Sequence, residues 1–242
     1  MKSYFVTATD TDAGKTFVAC ALTQALINAG NKVAVYKPIA AGCHQEGELL
    51  INEDAQLLSQ FGNSQQTISN VNPIALEEAI APHIAASNEN REISIDEISK
   101  GFDNVLSLKA QVNITEGAGG WRLPIYINSE PRKETQQHIF LSDFAKATKQ
   151  DVILVVNMKL GCLNHALLTY EAIIADGLQC VAWIANTASE HQMPFINENI
   201  ASLEQLLPIP KIAQLSFYND QNMSLVDNIN AAAKKINITT LR

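Results

Sequence analysis

Lys15 and Thr16 close the run Thr7-Ala8-Thr9-Asp10-Thr11-Asp12-Ala13-Gly14-Lys15-Thr16, which follows an apolar stretch and precedes a helical one. Those residue types in that order suit an anion. Gly14 lets the backbone approach a phosphate, and the free N–H groups and positive dipole end of the following helix favour negative charge. The Lys15 ammonium can reach between β- and γ-phosphates, and the Thr16 hydroxyl can ligate Mg²⁺. The usual spacing is G-x-x-x-x-G-K-[ST], and Thr9 stands where its first glycine belongs. On this pattern alone an ordinary strand–loop–helix turn stays open. Asp10 and Asp12 also sit awkwardly beside a polyphosphate, unless they face a cationic substrate or a metal.

Three later residues extend the chemistry. Lys37, in Tyr36-Lys37-Pro38, falls at the C-terminal end of a strand, the edge at which open α/β sheets bind ligands. Taken alone, a lysine at a strand end is more often a solvated surface residue. Asp54 is either a direct or indirect Mg²⁺ ligand or simply an acid in the first turn of a helix. Glu116, in Thr115-Glu116-Gly117-Ala118-Gly119-Gly120, follows a strand as a Walker-B-type acid does, with glycines that leave room for a ligand; a tight turn is the alternative. Cys162 and His165 are three apart on one helix with no third group to orient them, so they are not a nucleophile–base pair. His83 has no identifiable partner and reads as structural.

Alternating elements must position these residues. Strands are predicted over Lys2–Ala8, Lys32–Tyr36, Gln111–Thr115, Asp151–Asn157, Gln179–Ala185 and Lys211–Leu215. Helices are predicted over Phe17–Ala29, near Asp54–Gln60, from a Ser94–Glu97 capping box to Leu108, over Asn164–Ala175, near Asn197–Leu206 and over Ser224–Ile236. Gly30 and Gly177 stand where helices should stop. Asp151–Asn157 (DVILVVN) is almost continuously apolar, as a strand buried on both faces is. The alternation implies an α/β chain with a mostly parallel, doubly wound sheet and helices on both faces. No linker divides it, so residues 1–242 read as one domain. Residues 62–82 read as irregular, and 122–138 as an extended polar loop, functional or mobile.

Composition narrows the classes. Seventeen basic against 25 acidic residues give a net charge of −8. Nucleic acid and anionic membranes are bound through massed Lys and Arg, so neither is an expected partner. There is no apolar run of membrane-spanning length, and the apolar start is too short for a signal peptide. The expected location is therefore cytoplasmic. Cys20, Cys43, Cys162 and Cys180 are scattered without a CxxC pair, which predicts reduced thiols rather than disulfides or a zinc site.

Together these pieces resemble the dethiobiotin synthetase family. The resemblance rests on residues 4–16 (YFVTATDTDAGKT), 36–42 (YKPIAAG), 81–83 (APH), 116–121 (EGAGGW), 152–168 (VILVVNMKLGCLNHALL) and 183–186 (WIAN). It implies a P-loop-containing α/β fold, a homodimer, ATP and Mg²⁺. It also implies joining CO₂ to 7,8-diaminopelargonic acid through a carbamate and a mixed anhydride. Carried over residue by residue, Asp12, Ala13, Gly14, Lys15, Thr16 and Phe17 wrap the triphosphate, with Glu116, Gly117, Ala118 and Gly119 beside them. Thr16, Asp54 and Glu116 hold Mg²⁺. Lys15 and Lys37 are the catalytic cations, which neutralise carbamate and γ-phosphate charge. Thr11, Asp12, Lys37 and Ala41 lie by the diamine, and Asp12 can accept an amine proton. Gly161, Cys162, Leu163 and Asn164 offer a helix start to the substrate carboxylate, from the other subunit. Asn186 and Thr187, with Leu215, Ser216 and Phe217, meet the base.

The chain departs from the family pattern in places. Ala8 replaces a glycine and must avoid positive φ. Ala41 replaces a serine, Asp12 a frequent Glu, and Ala213–Ser216 a Gly-x-Ile-Pro. Arg122, Arg132 and Lys133 are candidates to cover the nucleotide or to be solvated. A partition-type switch ATPase and a degenerate, non-catalytic family member are the alternative functions. The first lacks its usual early lysine in the phosphate loop. The second is opposed by intact Lys15, Thr16, Lys37, Asp54 and Glu116.

Overall fold

A computed structural model describes residues 1–127, 138–191, 193–218 and 223–241. In chain order the elements begin with β1 (Lys2–Ala8), α1 (Lys15–Asn28), β2 (Val33–Tyr36), β3 (Ile39–Ala41), β4 (His44–Glu46) and β5 (Leu49–Ile51). There follow α2 (Glu53–Phe61), α3 (Ile68–Val71), β6 (Ile74–Leu76), α4 (Pro82–Asn88), α5 (Ile95–Ser107) and β7 (Val112–Glu116). Next come β8 (Pro124–Tyr126), β9 (Ile139–Phe140), α6 (Leu141–Ala147), β10 (Asp151–Asn157) and α7 (Cys162–Ala175). The last are β11 (Cys180–Asn186), α8 (Ile196–Leu206), β12 (Lys211–Leu215) and α9 (Leu225–Ala233).

Six strands form one parallel sheet in the order β12-β11-β10-β1-β7-β2. Residue alternation along each strand feeds two cores. Phe5, Tyr36, Val152, Leu154, Val156 and Trp183 point to one face, under α5, α6, α7 and α8. Tyr4, Val6, Val35, Ile114, Ile153, Val155 and Ile184 point to the other, under α1, α2 and α9. Burying both faces is why the central strands are apolar at consecutive positions. The expected α/β sheet covered on both sides is therefore present. Ala8 ends β1 and is absent from the positive-φ residues.

Several predicted boundaries shift, each for a local reason. Helix α1 begins at Lys15 rather than Phe17, because Gly14 at φ +76° already turns the chain into it. Glu116 is the last residue of β7 rather than the first after it. Ser94 caps α5 by accepting from the Glu97 N–H at 3.1 Å, but the Glu97 carboxylate pairs with Arg91, so the capping box is only half formed. Residues 62–82 are not irregular throughout. They contain α3 and β6, and β6 pairs in parallel with β3. Runs of three or four residues carry too little periodicity to be recognised. Helices α4 and α6 were likewise not expected from the pattern. Of the predicted loop, residues 128–137, including Arg132 and Lys133, lie outside the described residues, while Pro124–Tyr126 pairs with Ile139–Phe140 as a small antiparallel ribbon. All four cysteines are free and buried. No helix among the described residues is long and apolar enough to cross a membrane.

Tyr36 shows how the site-bearing edge is braced. Its ring is fully buried against Phe102 and Phe144, and its O–H donates to the Ile98 carbonyl of α5 at 2.7 Å. Burial, with the Glu97 charge added, pushes the phenol well above its ordinary range. Tyr36→Phe removes a second, buried donor to this helix carbonyl and should cost about 1 kcal/mol of stability. Urea unfolding measures this, and an unchanged midpoint would show that the bond contributes nothing.

Candidate active site at the sheet edge

Strand register brings the catalytic candidates together. Tyr36 of β2 lies opposite Thr115 of β7, so the next residues, Lys37 and Glu116, emerge side by side. Glu116 is also the register partner of Val6, two residues before the end of β1. The phosphate loop springs from that end. The Lys37 Nζ donates to Glu116 Oε1 at 2.6 Å, and the Thr16 hydroxyl donates to the same oxygen at 2.6 Å. Asp54 Oδ2 lies 3.7 Å from the Lys37 ammonium. Lys37, Glu116, Thr16 and Asp54 therefore form one cluster, although they stand as far as 100 residues apart in sequence.

Burial sets the electrostatics. Lys37 and Glu116 are 4% and 1% exposed. Burial by itself would lower the Lys37 pKa, but attraction to Glu116 and Asp54, with the hydrogen bond to Glu116, holds it above its ordinary value. Lys15 is in the opposite condition. Among the described residues its Nζ donates only to the Asp10 carbonyl, at 3.3 Å, and burial pulls its pKa below the ordinary value against the pull of Glu116, Asp10 and Asp54. A buried ammonium without a paired carboxylate is prepared for an anionic ligand.

The Mg²⁺ candidates fit a metal in a specific way. Glu116 Oε2 is buried with no hydrogen-bond partner, so one carboxylate oxygen is uncommitted. A buried carboxylate oxygen is costly to leave so, and a cation is its natural partner. Among the described residues no group of three His, Cys, Asp or Glu side chains could hold a metal by protein ligands alone. Two carboxylates and a hydroxyl nonetheless suit Mg²⁺, which keeps waters and takes phosphate oxygens as ligands.

Around the phosphate loop, Ala13 is buried, while Thr11 and Asp12 are exposed, Asp12 at φ +58°. A Cβ on Gly14 would come within 2.4 Å of Asn186 Nδ2, so a side chain is excluded there as well as strained. That amide donates to the Ala13 carbonyl at 2.8 Å. Asn186, expected at the base, is thus fastened to the loop itself. Thr187 N–H donates to the Leu215 carbonyl at 2.9 Å, so both lie at the C-terminal edges of β11 and β12. Leu215 is buried; Ser216 and Phe217 are exposed beyond it. Gly117 donates its N–H to Val6 O at 2.9 Å, and Ala118 and the left-handed Gly119 follow over the sheet edge.

The diamine candidates are spread more widely. Ala41 ends β3, and its carbonyl accepts from Asn52 Nδ2 at 3.2 Å. The Asn52 side chain also caps α2 by accepting from the Ala55 N–H. One asparagine thereby ties Ala41 to the turn that carries Asp54. Gly161, at φ +94°, caps α7, and Cys162, Leu163 and Asn164 form its first turn. Arg122 does not face the phosphate loop. It pairs with Asp176 at the far end of α7, beside the Trp121 N–H that donates to the same carboxylate.

Comparison with known proteins is specific. A family model described as an AAA domain matches residues 2–222. The ATP-dependent dethiobiotin synthetase BioD of Alteromonas mediterranea is 47% identical over 221 residues, covering 90% of this chain and 93% of that protein. BioD of Cellvibrio japonicus is 46% identical, covering 86% of each. The chain belongs to the dethiobiotin synthetase family. More distant solved structures share the fold alone. MinD in the MinC:MinD cell division complex of Aquifex aeolicus has a TM-score of 0.55 at 13% identity, over 96% of this chain and 86% of that one. MinD of Pyrococcus horikoshii, complexed with Mg-ADP, has 0.52 at 15% identity, over 97% and 93%.

For a dethiobiotin synthetase family member, two features of the site went unread in the sequence. Val71 and Asn72 hold the Lys37 backbone, by Lys37 N–H to Val71 O at 2.8 Å and Asn72 Nδ2 to Lys37 O at 2.8 Å. Tyr218 packs on Phe17, ring centres 5.3 Å apart, at the first turn of α1. The first sits in the stretch read as irregular, and the second follows the segment where the family pattern breaks. No local spacing marks either.

Proposed function

We propose that this chain is an ATP-dependent dethiobiotin synthetase, which uses ATP, CO₂ and 7,8-diaminopelargonic acid to make dethiobiotin, ADP and phosphate. The observation that carries this reading is the Lys37–Glu116–Thr16 cluster, beside a buried Lys15 that has no ion pair among the described residues, at the ligand edge of the sheet. One amine of the diamine attacks CO₂ and sheds a proton to give a carbamate. A carbamate oxygen then attacks the γ-phosphorus, and the bond to the β,γ-bridging oxygen breaks, so ADP leaves. The second amine attacks the carbamate carbon and sheds a proton, the ring closes, and the bond from that carbon to the phosphate oxygen breaks so that phosphate departs.

Each step asks this chain for charge placement. Lys15 and Lys37 balance the negative charge that accumulates on carbamate and γ-phosphoryl oxygens, and burial strengthens that effect. Thr16, Asp54 and Glu116 hold Mg²⁺, which when bound neutralises phosphate oxygens. Asp12, which has no ion pair among the described residues, faces the ammonium or takes an amine proton, with Thr11 and Ala41 alongside. Asn186, Thr187, Leu215, Ser216 and Phe217 line the base side, and Phe17 lies below it. Residues 1–242 act as a single domain with the 122–138 loop as an extension, in the cytoplasm.

The protein works as a homodimer in which residues 161–164 of one subunit bind the substrate carboxylate of the other. Leu160, just before that helix, and Leu168, nearly two turns into it, support this, being 92% and 57% exposed. Exposed leucines so placed are covered at little cost by a second copy. The test is purified protein with the diamine, labelled bicarbonate, Mg²⁺ and ATP, together with its mass by light scattering. Labelled dethiobiotin from a dimer is expected. No product, with Lys37→Ala equally inert, overturns the enzyme reading; a monomer that makes product overturns only the shared site.

A further inference from the structure

The two acids of the phosphate loop differ. Asp12 has no ion pair among the described residues, whereas the Asp10 carboxylate pairs with Lys159 of the β10–α7 connection. Asp10 is 25% exposed at its side chain and Lys159 48%. Its carbonyl accepts from Lys15 Nζ, so Asp10 stands at the lip of the site that Lys15 marks. Two further bonds stitch the same segments together. Thr9 N–H donates to Val155 O at 3.0 Å, and Asn157 N–H donates to Thr9 Oγ1 at 3.2 Å.

We infer that Lys159 is a positioning residue for nucleotide binding: it cancels the Asp10 charge at the mouth of the phosphate loop and fixes that loop to the start of α7. An uncancelled carboxylate there would repel a polyphosphate, as the sequence itself warned. The cation arrives from about 150 residues away in the chain. The same contact links the phosphate loop to residues 161–164, two positions beyond Lys159. This inference rests on residues 12–17 being the triphosphate site.

The test is ATP affinity with Mg²⁺ by calorimetry, for wild type, Lys159→Met, Asp10→Asn, the double variant, Lys159→Arg and Lys15→Gln. Lys159→Met should weaken binding about tenfold, and less at high salt, because the exposed charge is then screened. The double variant should return to within about twofold of Asp10→Asn, since removing the acid removes the need for the lysine. Lys159→Arg should stay within about threefold of wild type. A merely structural role would not be rescued by Asp10→Asn and would not vary with salt. Lys159→Met binding like wild type, or a double variant as weak as Lys159→Met, overturns the inference alone if Lys15→Gln still abolishes binding. Lys15→Gln binding like wild type overturns the triphosphate site and the inference with it.

Discussion

Lys37→Met should lower kcat by about 10³-fold while changing the affinity for ATP far less. The expectation follows from where the ammonium is and what it lacks. It is buried, its charge is held by Glu116 and Asp54, and no solvent can substitute for it. In a low-dielectric site, one preorganised donor to developing negative charge is worth roughly 10²–10³ in rate. Lys37 faces a transition state carrying both carbamate and phosphoryl charge, so the upper end applies. The γ-phosphate in the ground state still has Lys15 and Mg²⁺, which is why affinity moves less. Methionine keeps the stem volume and removes only the charge. The substitution also leaves Glu116 buried without its cation, which costs about 3–5 kcal/mol of stability in the metal-free protein. Mg²⁺ should return part of that, since it supplies the missing positive charge. Lys37→Arg should not rescue turnover, because a planar guanidinium does not fit a fully enclosed ammonium position. Steady-state kinetics with saturating diamine measures this. Turnover within tenfold of wild type would remove Lys37 from the chemistry.

The framework of the site was legible wherever the signal was local and long. Strands β10 and β11 announced themselves by nearly continuous apolar runs, β1 by a shorter one at residues 4–6, and α1 by its spacing after Gly14. Lys15, Thr16, Lys37 and Glu116 were legible too, since strand ends at the ligand edge are read from the strands. What was illegible is what depends on three-dimensional partners. Asp10 looked misplaced beside a phosphate because the lysine that cancels it lies on another connection. Asn186 reaches back from β11 to the Ala13 carbonyl, a partner that no local pattern shows. The stretch holding Val71 and Asn72 looked structureless because four-residue helices and three-residue strands show no period. Long-range register, not local pattern, places Lys37 against Glu116.

Glu116→Gln is expected to lower kcat roughly 10²- to 10³-fold and to raise the Mg²⁺ concentration needed for half-maximal activity about tenfold or more. One side chain serves three partners. Its Oε1 accepts from Lys37 and from Thr16, and its Oε2 is the uncommitted oxygen suited to Mg²⁺. The amide keeps the shape and one acceptor oxygen but puts an N–H₂ group where a metal or a donor must sit. The change also reverses the balance on Lys37. Burial lowers that pKa, and in the native protein Glu116 is the first of the attractions that overcome it. The sign follows directly. A lysine with a folded pKa above its unfolded value of about 10.4 contributes stability below that pH and loses it as pH rises through the folded value. Native Lys37 therefore stays charged through the whole neutral and mildly alkaline range. In Glu116→Gln the larger of the two attractions is gone and only Asp54, half exposed and 3.7 Å away, opposes burial, so the folded pKa moves down from its native position. The alkaline limb of the activity profile should then move to lower pH than in the native enzyme. A pH–rate series at saturating Mg²⁺ separates this from metal loss. An unmoved alkaline limb, with only the Mg²⁺ requirement raised, would show that Glu116 serves the metal and not Lys37.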